Sequence, residues 1–404
     1  MAEYTIERLG HRGDGIAAGP IFAPLTLPGE VITGDLSGDR IDAPKIITPS
    51  TDRVAPPCKH FKRCGGCALQ HATDEFVADW KVNVVKEALK AHDLPAPIRR
   101  LHTSPPNTRR RATFTGRRTK SGALVGFHAR GSDVLIDVPG CQLVLPQILA
   151  AMPTLEALTI LGASRKASIA LTITWSSAGP DIAVTDAKDL DRDTMTKALD
   201  TANSHEIARL TWNDETIATR AQPSQHFDGI TVVPPPGAFL QATVPGENAL
   251  RASVTDAVGG AKHIVDLFAG SGTFALPLAR NAAVHAVESD PNMLQSLDHA
   301  WRHASDMHQV TTEIRDLFRR PLVPLDLRKI DAVVIDPPRA GAEAQVNELA
   351  QSDIPIIAMV SCNPITFAKD AKTLINSGFS LTWVDVVDQF RWSPHIELAA
   401  QFTK

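Results

Sequence analysis

The chain has no apolar run approaching the roughly 20 residues that a membrane span needs. Its opening residues, Met1-Ala2-Glu3-Tyr4, lack the basic and apolar layout of a signal peptide. No membrane association is expected, and the cytoplasm is the expected location. Cysteine is scarce, with five residues in 404, which excludes a disulfide-built scaffold. Excess positive charge is absent as well: the formal net charge is -4, so the composition as a whole gives no sign of a nucleic-acid partner. What remains, 43% hydrophobic and 21% charged residues, is the make-up of an ordinary globular protein. The length suffices for two or three domains, each with a core of its own.

The few cysteines are unevenly placed. Three of them fall within ten positions, in Cys58-Lys59-His60-Phe61-Lys62-Arg63-Cys64-Gly65-Gly66-Cys67. In a reducing compartment such crowding points to metal or catalysis. The Cys-x5-Cys-x2-Cys spacing, with a Gly-Gly pair that lets the backbone fold around a bulky object, suits an iron-sulfur cluster, which needs a fourth thiolate from elsewhere. Apart from Cys362, Cys141 is the one cysteine left for that place, so an iron-sulfur cluster on Cys58, Cys64, Cys67 and Cys141 is expected. A closed zinc site on the same thiolates is the alternative, and unrelated free thiols are the bland reading. Four protein thiolates leave the metal no open position, which makes its role structural. Positive charge is also local: positions 99–130 hold nine Lys or Arg and no acidic residue, with Phe114 and Phe127 interleaved. That is the footprint of phosphate contacts, with a solvated strand face as the plainer explanation.

Three regions follow from the patterning. Positions 1–54 alternate short apolar segments with Gly, Asp and Pro, which suggests a small β-barrel-like domain. Positions 55–235 carry the cysteine loop, a helix over about 74–92 with Phe76, Trp80, Val84, Val85 and Leu89 on one face, the basic stretch, and an α+β remainder with helices at 147–161 and 191–204. Positions 236–404 follow Pro234-Pro235-Pro236-Gly237. From His263 onward, strands and helices alternate with the rhythm of a doubly wound parallel sheet.

In such a sheet, chemistry gathers beyond the carboxyl ends of the strands. The first strand runs into Asp266-Leu267-Phe268-Ala269-Gly270-Ser271-Gly272-Thr273-Phe274, where Gly270 and Gly272 allow a ligand close to the backbone at a helix start. Glu288 ends the next strand, placed for both hydroxyls of a ribose, and Asp316 follows the third, placed to touch an adenine. Asp336-Pro337-Pro338-Arg339-Ala340-Gly341 ends the fourth, with two prolines stiffening the loop that turns the Asp336 carboxylate outward. A buried strand over 354–360 ends in Ser361-Cys362-Asn363-Pro364. Cys362 is either a small core residue or a thiol at the mouth of the sheet.

These motifs resemble the class I S-adenosylmethionine-dependent methyltransferases, and more narrowly the RNA 5-methyluridine (uracil-C5) methyltransferases, in their iron-sulfur-containing ribosomal-RNA branch. The likeness covers most of the chain and extends to Asp388-x-Phe390 and His395-Ile396-Glu397. It implies a Rossmann-like catalytic domain at 236–404, an α+β central domain and a TRAM/OB-like N-terminal domain, in a monomer that acts on RNA, with 23S ribosomal RNA as the expected substrate. It further implies Cys362 as the thiolate that adds to uracil C6, Glu397 as the base that removes the C5 proton, and Asp336 as the group that orients the uracil edge. Gln241, Phe268, Gly270, Gly272, Thr273, Glu288 and Asp316, with Asp336, would line the S-adenosylmethionine site. Two places depart from the family. Thr273 stands where relatives usually have Asn, and Phe390 is followed by Arg391-Trp392-Ser393-Pro394 where a proline commonly comes first. His395 is expected to support that turn rather than to act in catalysis. Other readings are a transfer-RNA uridine substrate, methylation of an exocyclic base nitrogen, which needs no thiol, and a non-catalytic iron-sulfur RNA-binding protein.

Overall fold

Strands Ala332–Ile335 and Ile356–Ser361 are nearly unbroken apolar runs because both of their faces are covered, the condition of the inner strands of a parallel sheet. The structure, a computed structural model, describes residues 2–404. Around these strands it builds an eight-stranded sheet in the order Val310–Ile314, Ala283–Glu288, His263–Leu267, Ala332–Ile335, Ile356–Ser361, Glu397–Thr403, Ser380–Asp388 and Ile98–Thr103. The first five are parallel. Glu397–Thr403 runs antiparallel to both of its neighbours. Chain direction across the sheet reverses between His263–Leu267 and Ala332–Ile335, which opens a crevice at the strand ends there.

One part of the expected domain division is revised. Strand Ile98–Thr103, assigned by sequence to the central region, pairs in parallel with Ser380–Asp388 at the edge of this sheet. Helix Asp74–Lys90 buries Val85 and Leu89 in the same core as Phe367, Leu374 and Phe379. The reason is burial: the helix is amphipathic, and the last sheet offers the apolar face that it needs. Segment 74–103 therefore packs with the C-terminal region.

The central region forms a seven-stranded sheet in the order Glu215–Thr219, Arg209–Trp212, Gly179–Thr185, Ile169–Ser176, Arg111–Arg118, Ala123–His128 and Leu135–Ile136. The single helix expected at 147–161 is broken into Pro146–Ala150 and Met152–Gly162. Pro153 accounts for the break, since it lacks an N–H and crowds the residue before it. The N-terminal strands Glu3–Leu9, Gly15–Ala17, Ile21–Ala23, Val31–Thr33 and Lys45–Thr48 make an antiparallel sheet. It meets helix Asp74–Lys90 through Leu9, Leu27, Leu69 and Trp80. Among the described residues, no helix is long and apolar enough to cross a membrane.

Candidate active site

The crevice is a cleft of about 650 Å³. Strand order distributes its walls. Glu288 and Asp316 come from the ends of Ala283–Glu288 and Val310–Ile314 on one side, and Cys362 and Glu397 from Ile356–Ser361 and Glu397–Thr403 on the other. Phe268, Gly270 and Asp336 lie between them, and Gln241 and Thr273 complete the set that the sequence pointed to. Gly272 is the exception. It does not line the cleft; a Cβ there would stand 2.8 Å from Leu276 and 2.9 Å from Leu297, at a φ of +94°. Packing behind the loop is enough to require a glycine there.

The side with Glu288 is built from backbone amides. The Glu288 carboxylate accepts from the Gly270 amide (3.1 Å), the Ser289 amide (2.6 Å) and the Asp290 amide (3.0 Å), which fixes the loop against the neighbouring strand. Phe268 is held at φ 62°, in the left-handed region, a conformation that costs a bulky residue about 1–3 kcal/mol and persists only where its surroundings impose it. Its ring meets that of Phe318 at 5.5 Å. Asp316 closes a turn by accepting from the amides of Phe318 (3.0 Å) and Arg319 (3.3 Å).

The opposite side concentrates acidic groups in a dry place. Register sets the key pair: Ser361 stands opposite Leu398 in an antiparallel ladder, so the next step outward puts Cys362 opposite Glu397. Burial pushes the Asp336 carboxyl up to about 7. Burial, reinforced by Asp336, raises the Glu397 carboxyl well above its ordinary value, while hydrogen bonding to Gln389 and the charge of Arg339 oppose the rise. Burial also drives the Cys362 thiol up to about 12, with Glu397 and Asp336 adding to the effect and Arg339 opposing it. Acids this close and this buried resist ionising together, so all three are displaced toward their protonated forms. Two features favour a thiolate: Arg339, and the N-terminus of helix Pro364–Asn376, which begins just after Cys362 and is capped by Asn363 accepting from the Ile365 amide at 3.1 Å.

Gln389, absent from the sequence-based set, ties the walls together. Its Nε2 donates to Gln241 Oε1 at 2.5 Å, its Oε1 accepts from the Ala242 amide at 2.7 Å, and Gln241 Nε2 donates to Asp336 Oδ2 at 3.3 Å. The His395 ring also lines the cleft, 3.1 Å from Arg339 Nη2. Nothing local in the sequence singles out Gln389. Its partners lie on other elements, and its position beside the Asp388-x-Phe390 motif was the one available hint.

The basic stretch 99–130, read as a footprint of phosphate contacts, divides by use. Arg99 pairs with Asp385, and Arg110 is buried against Glu247. Arg130 donates to the Cys67 carbonyl at 2.9 Å. Buried carboxylates and carbonyls claim these cations. Arg109 reaches the cleft, over the Phe390 ring. Arg118 and Lys120 are exposed at the turn after strand Arg111–Arg118.

Cys58, Cys64, Cys67 and Cys141 are all buried, and they share one apolar cluster. The Gly66 amide donates to Cys64 Sγ at 3.4 Å and the Leu143 amide to Cys141 Sγ at 3.5 Å. Burial pushes the Cys67 thiol up to about 12, and the other three thiols each add to the rise. Among the described residues, no three His, Cys, Asp or Glu side chains form a ready metal-ligand group. The loop after Cys67 touches the active-site turn directly: the amides of Ala68 and Leu69 donate to the Trp392 carbonyl at 2.7 and 3.0 Å.

Comparison with known proteins adds the following. Residues 250–404 match the family model described as tRNA (Uracil-5-)-methyltransferase. An uncharacterized RNA methyltransferase of Rhizobium meliloti is 42% identical, covering 99% of this chain and 99% of its own. The 23S rRNA (uracil(1939)-C(5))-methyltransferase RlmD of Halomonas elongata is 30% identical, covering 98% of this chain and 88% of its own. Among solved structures, the tRNA (uracil-54, C5)-methyltransferase of Pyrococcus abyssi, in complex with S-adenosyl-L-homocysteine, is similar over 100% of both chains, with a TM-score of 0.78 at 20% sequence identity.

Proposed function

Because the chain belongs to the RNA uracil-5 methyltransferase family and has the class I S-adenosylmethionine-dependent fold, we propose that it methylates C5 of a uridine in 23S ribosomal RNA through a covalent Cys362 adduct. The observation that carries the reading is the register that sets Cys362 opposite Glu397, with Asp336 in the same cleft. Uracil C5 is a poor nucleophile. The Cys362 sulfur forms a bond to C6, and the electrons of the C5=C6 double bond move toward O4 as an enolate. S-adenosylmethionine, when bound, supplies an electrophilic methyl group on sulfur. The enolate carbon C5 takes that methyl group while it still carries its hydrogen, and the S–CH3 bond breaks with its electrons left on the sulfur as a neutral thioether. Glu397 then removes the C5 proton, the C5=C6 bond re-forms, and the C6–S bond breaks to return the Cys362 thiolate. Asp336, fixed by Gln241, orients the uracil edge. Glu288 would take the ribose hydroxyls and Asp316 the adenine, with Phe268, Gly270, Thr273 and Gln241 around them. A uridine must leave its helix to reach this cleft, so the target is unpaired or flipped out.

Ribosomal RNA is favoured by the 23S rRNA activity of the Halomonas relative together with the cysteine loop. Mapping 5-methyluridine in ribosomal and transfer RNA from cells with and without the gene tests this. Loss from 23S RNA alone is expected, and loss from transfer RNA alone, or from neither, overturns it.

The same reading assigns Cys58, Cys64, Cys67 and Cys141 to a [4Fe-4S] cluster. The donor chemistry fits: four buried thiols lie within one another's field, and two of the sulfurs already receive amide hydrogen bonds. When bound, the cluster would brace the loop. Protein purified without oxygen is expected to be brown and to carry about four irons per chain. Cys67→Ser should lose that iron, and a colourless zinc-loaded protein replaces the assignment with zinc.

A further inference from the structure

Lys81 stands in the apolar stripe of helix Asp74–Lys90, and none of its side chain reaches solvent. A buried ammonium is costly unless its donors are satisfied and its charge is met. Lys81 satisfies all three. Its Nζ donates to Asp388 Oδ1 at 2.5 Å, to the Phe390 carbonyl at 3.1 Å and to the His395 carbonyl at 3.0 Å. Asp388 closes strand Ser380–Asp388, and His395 lies just ahead of strand Glu397–Thr403. One ammonium therefore grips loop 389–396 at both ends.

That loop carries the cleft groups Phe390 and His395 and the wall-bridging Gln389, and it delivers the chain to Glu397. Within itself it has little to hold it: the Ser393 amide donates to the Phe390 carbonyl at 2.9 Å, and the His395 amide to Ser393 Oγ at 3.3 Å. Its other anchors come from outside: the Trp392 carbonyl, Arg391 reaching Asp74 and the Ser104 carbonyl, Gln389 bonding Gln241 and Ala242, and the His395 ring against Arg339. Cys362, by contrast, sits on a different strand and at a capped helix start, and none of its supports passes through Lys81.

We propose that Lys81 is a positioning residue for the proton-removal step, holding loop 389–396 so that Glu397 and its partner Gln389 stay aimed at the C5 hydrogen. This rests on the reading of Glu397 as the base. Because Cys362 is held independently, loosening the loop leaves thiol addition and methyl transfer able to proceed and slows the step that follows them. The methylated protein–RNA adduct, with C6 bonded to Cys362 and the C5 hydrogen still in place, then accumulates.

Lys81→Met alone would strand the Asp388 charge in the interior, so the working variant is Lys81→Met with Asp388→Asn, which removes both charges. Lys81→Gln with Asp388→Asn, which keeps two N–H donors and leaves no buried charge, serves if the first double variant does not fold. Each is compared with the wild type and with Glu397→Gln on unmodified 23S RNA. The readouts are S-adenosylmethionine binding, turnover, and RNA that stays bound to protein in denaturing detergent. The expected result is normal cofactor binding, a turnover loss of about 10²-fold of the kind that a 1 Å misplacement causes, and a detergent-stable methylated adduct. If Glu397→Gln traps the adduct and the Lys81 variant loses turnover without trapping it, Lys81 is a packing residue and the proposal falls while the base assignment stands. If Glu397→Gln traps nothing, the base assignment fails and takes the proposal with it.

Discussion

Cys362→Ala is expected to abolish methyl transfer, by at least about 10⁴-fold, because the uncatalysed attack of uracil C5 on a methyl sulfonium is left without its activating step. S-adenosylmethionine binding should stay close to that of the wild type, since Glu288 and Asp316 stand on the other side of the sheet's switch point. Calorimetry with the cofactor and a tritium-methyl assay on RNA together separate these effects. A Cys362→Ala protein with near-normal activity would exclude thiol chemistry and favour methylation of an exocyclic nitrogen. The protonation state sharpens the expectation. Burial, with Glu397 and Asp336 beside it, pushes the Cys362 thiol up to about 12, so the protonated form dominates at pH 7. Glu397 is displaced in the same direction, and both groups work deprotonated. The sign is therefore unambiguous: kcat/KM should climb with pH above neutrality.

Glu397→Gln is expected to lower turnover by about 10³-fold, the usual worth of a positioned base, while leaving the earlier steps intact. The amide cannot accept the C5 proton, so the chemistry halts after methyl transfer with RNA bonded to the protein. The substitution also removes a carboxyl that opposes ionisation of the Cys362 thiol, so adduct formation should be at least as easy as in the wild type. Gel electrophoresis under denaturing conditions, with labelled methyl groups, should show label and RNA migrating together with the protein at close to one equivalent. Fast turnover with no retained RNA would move the base to another residue, and His395, whose ring also lines the cleft, would be the next to test.

Much of this site was legible in the sequence because a parallel sheet writes its chemistry at strand ends. Buried apolar runs that stop at Glu288, Asp336 and Cys362 announce both the strand and the side chain beyond it. What stayed hidden depends on partners far away in the chain. Lys81 has the look of a helix-surface lysine until Asp388 is placed against it, and Arg110 that of a phosphate ligand until Glu247 is. Gly272 misled in the opposite direction: its motif speaks of ligands, while its neighbours Leu276 and Leu297 speak of packing. The missing proline after Phe390 left the turn before Glu397 without a local explanation. Its support comes from helix Asp74–Lys90 and from the loop after Cys67.

The edge strand Ile98–Thr103 has a consequence for how the protein is made. Arg99 bonds to Asp385 across 286 positions of chain, so this strand cannot find its place until Ser380–Asp388 has left the ribosome. The central sheet, whose strands all lie between, is free to fold first and can bring the two distant segments together by shortening the effective loop. Until then helix Asp74–Lys90 carries an uncovered apolar face. A fragment beginning at 236 would lack that strand and helix, exposing the edge at Ser380–Asp388 to pairing with other chains. The late arrival of strands Ser380–Asp388 and Glu397–Thr403 thus acts as a timer, since the cleft cannot be completed before they are made.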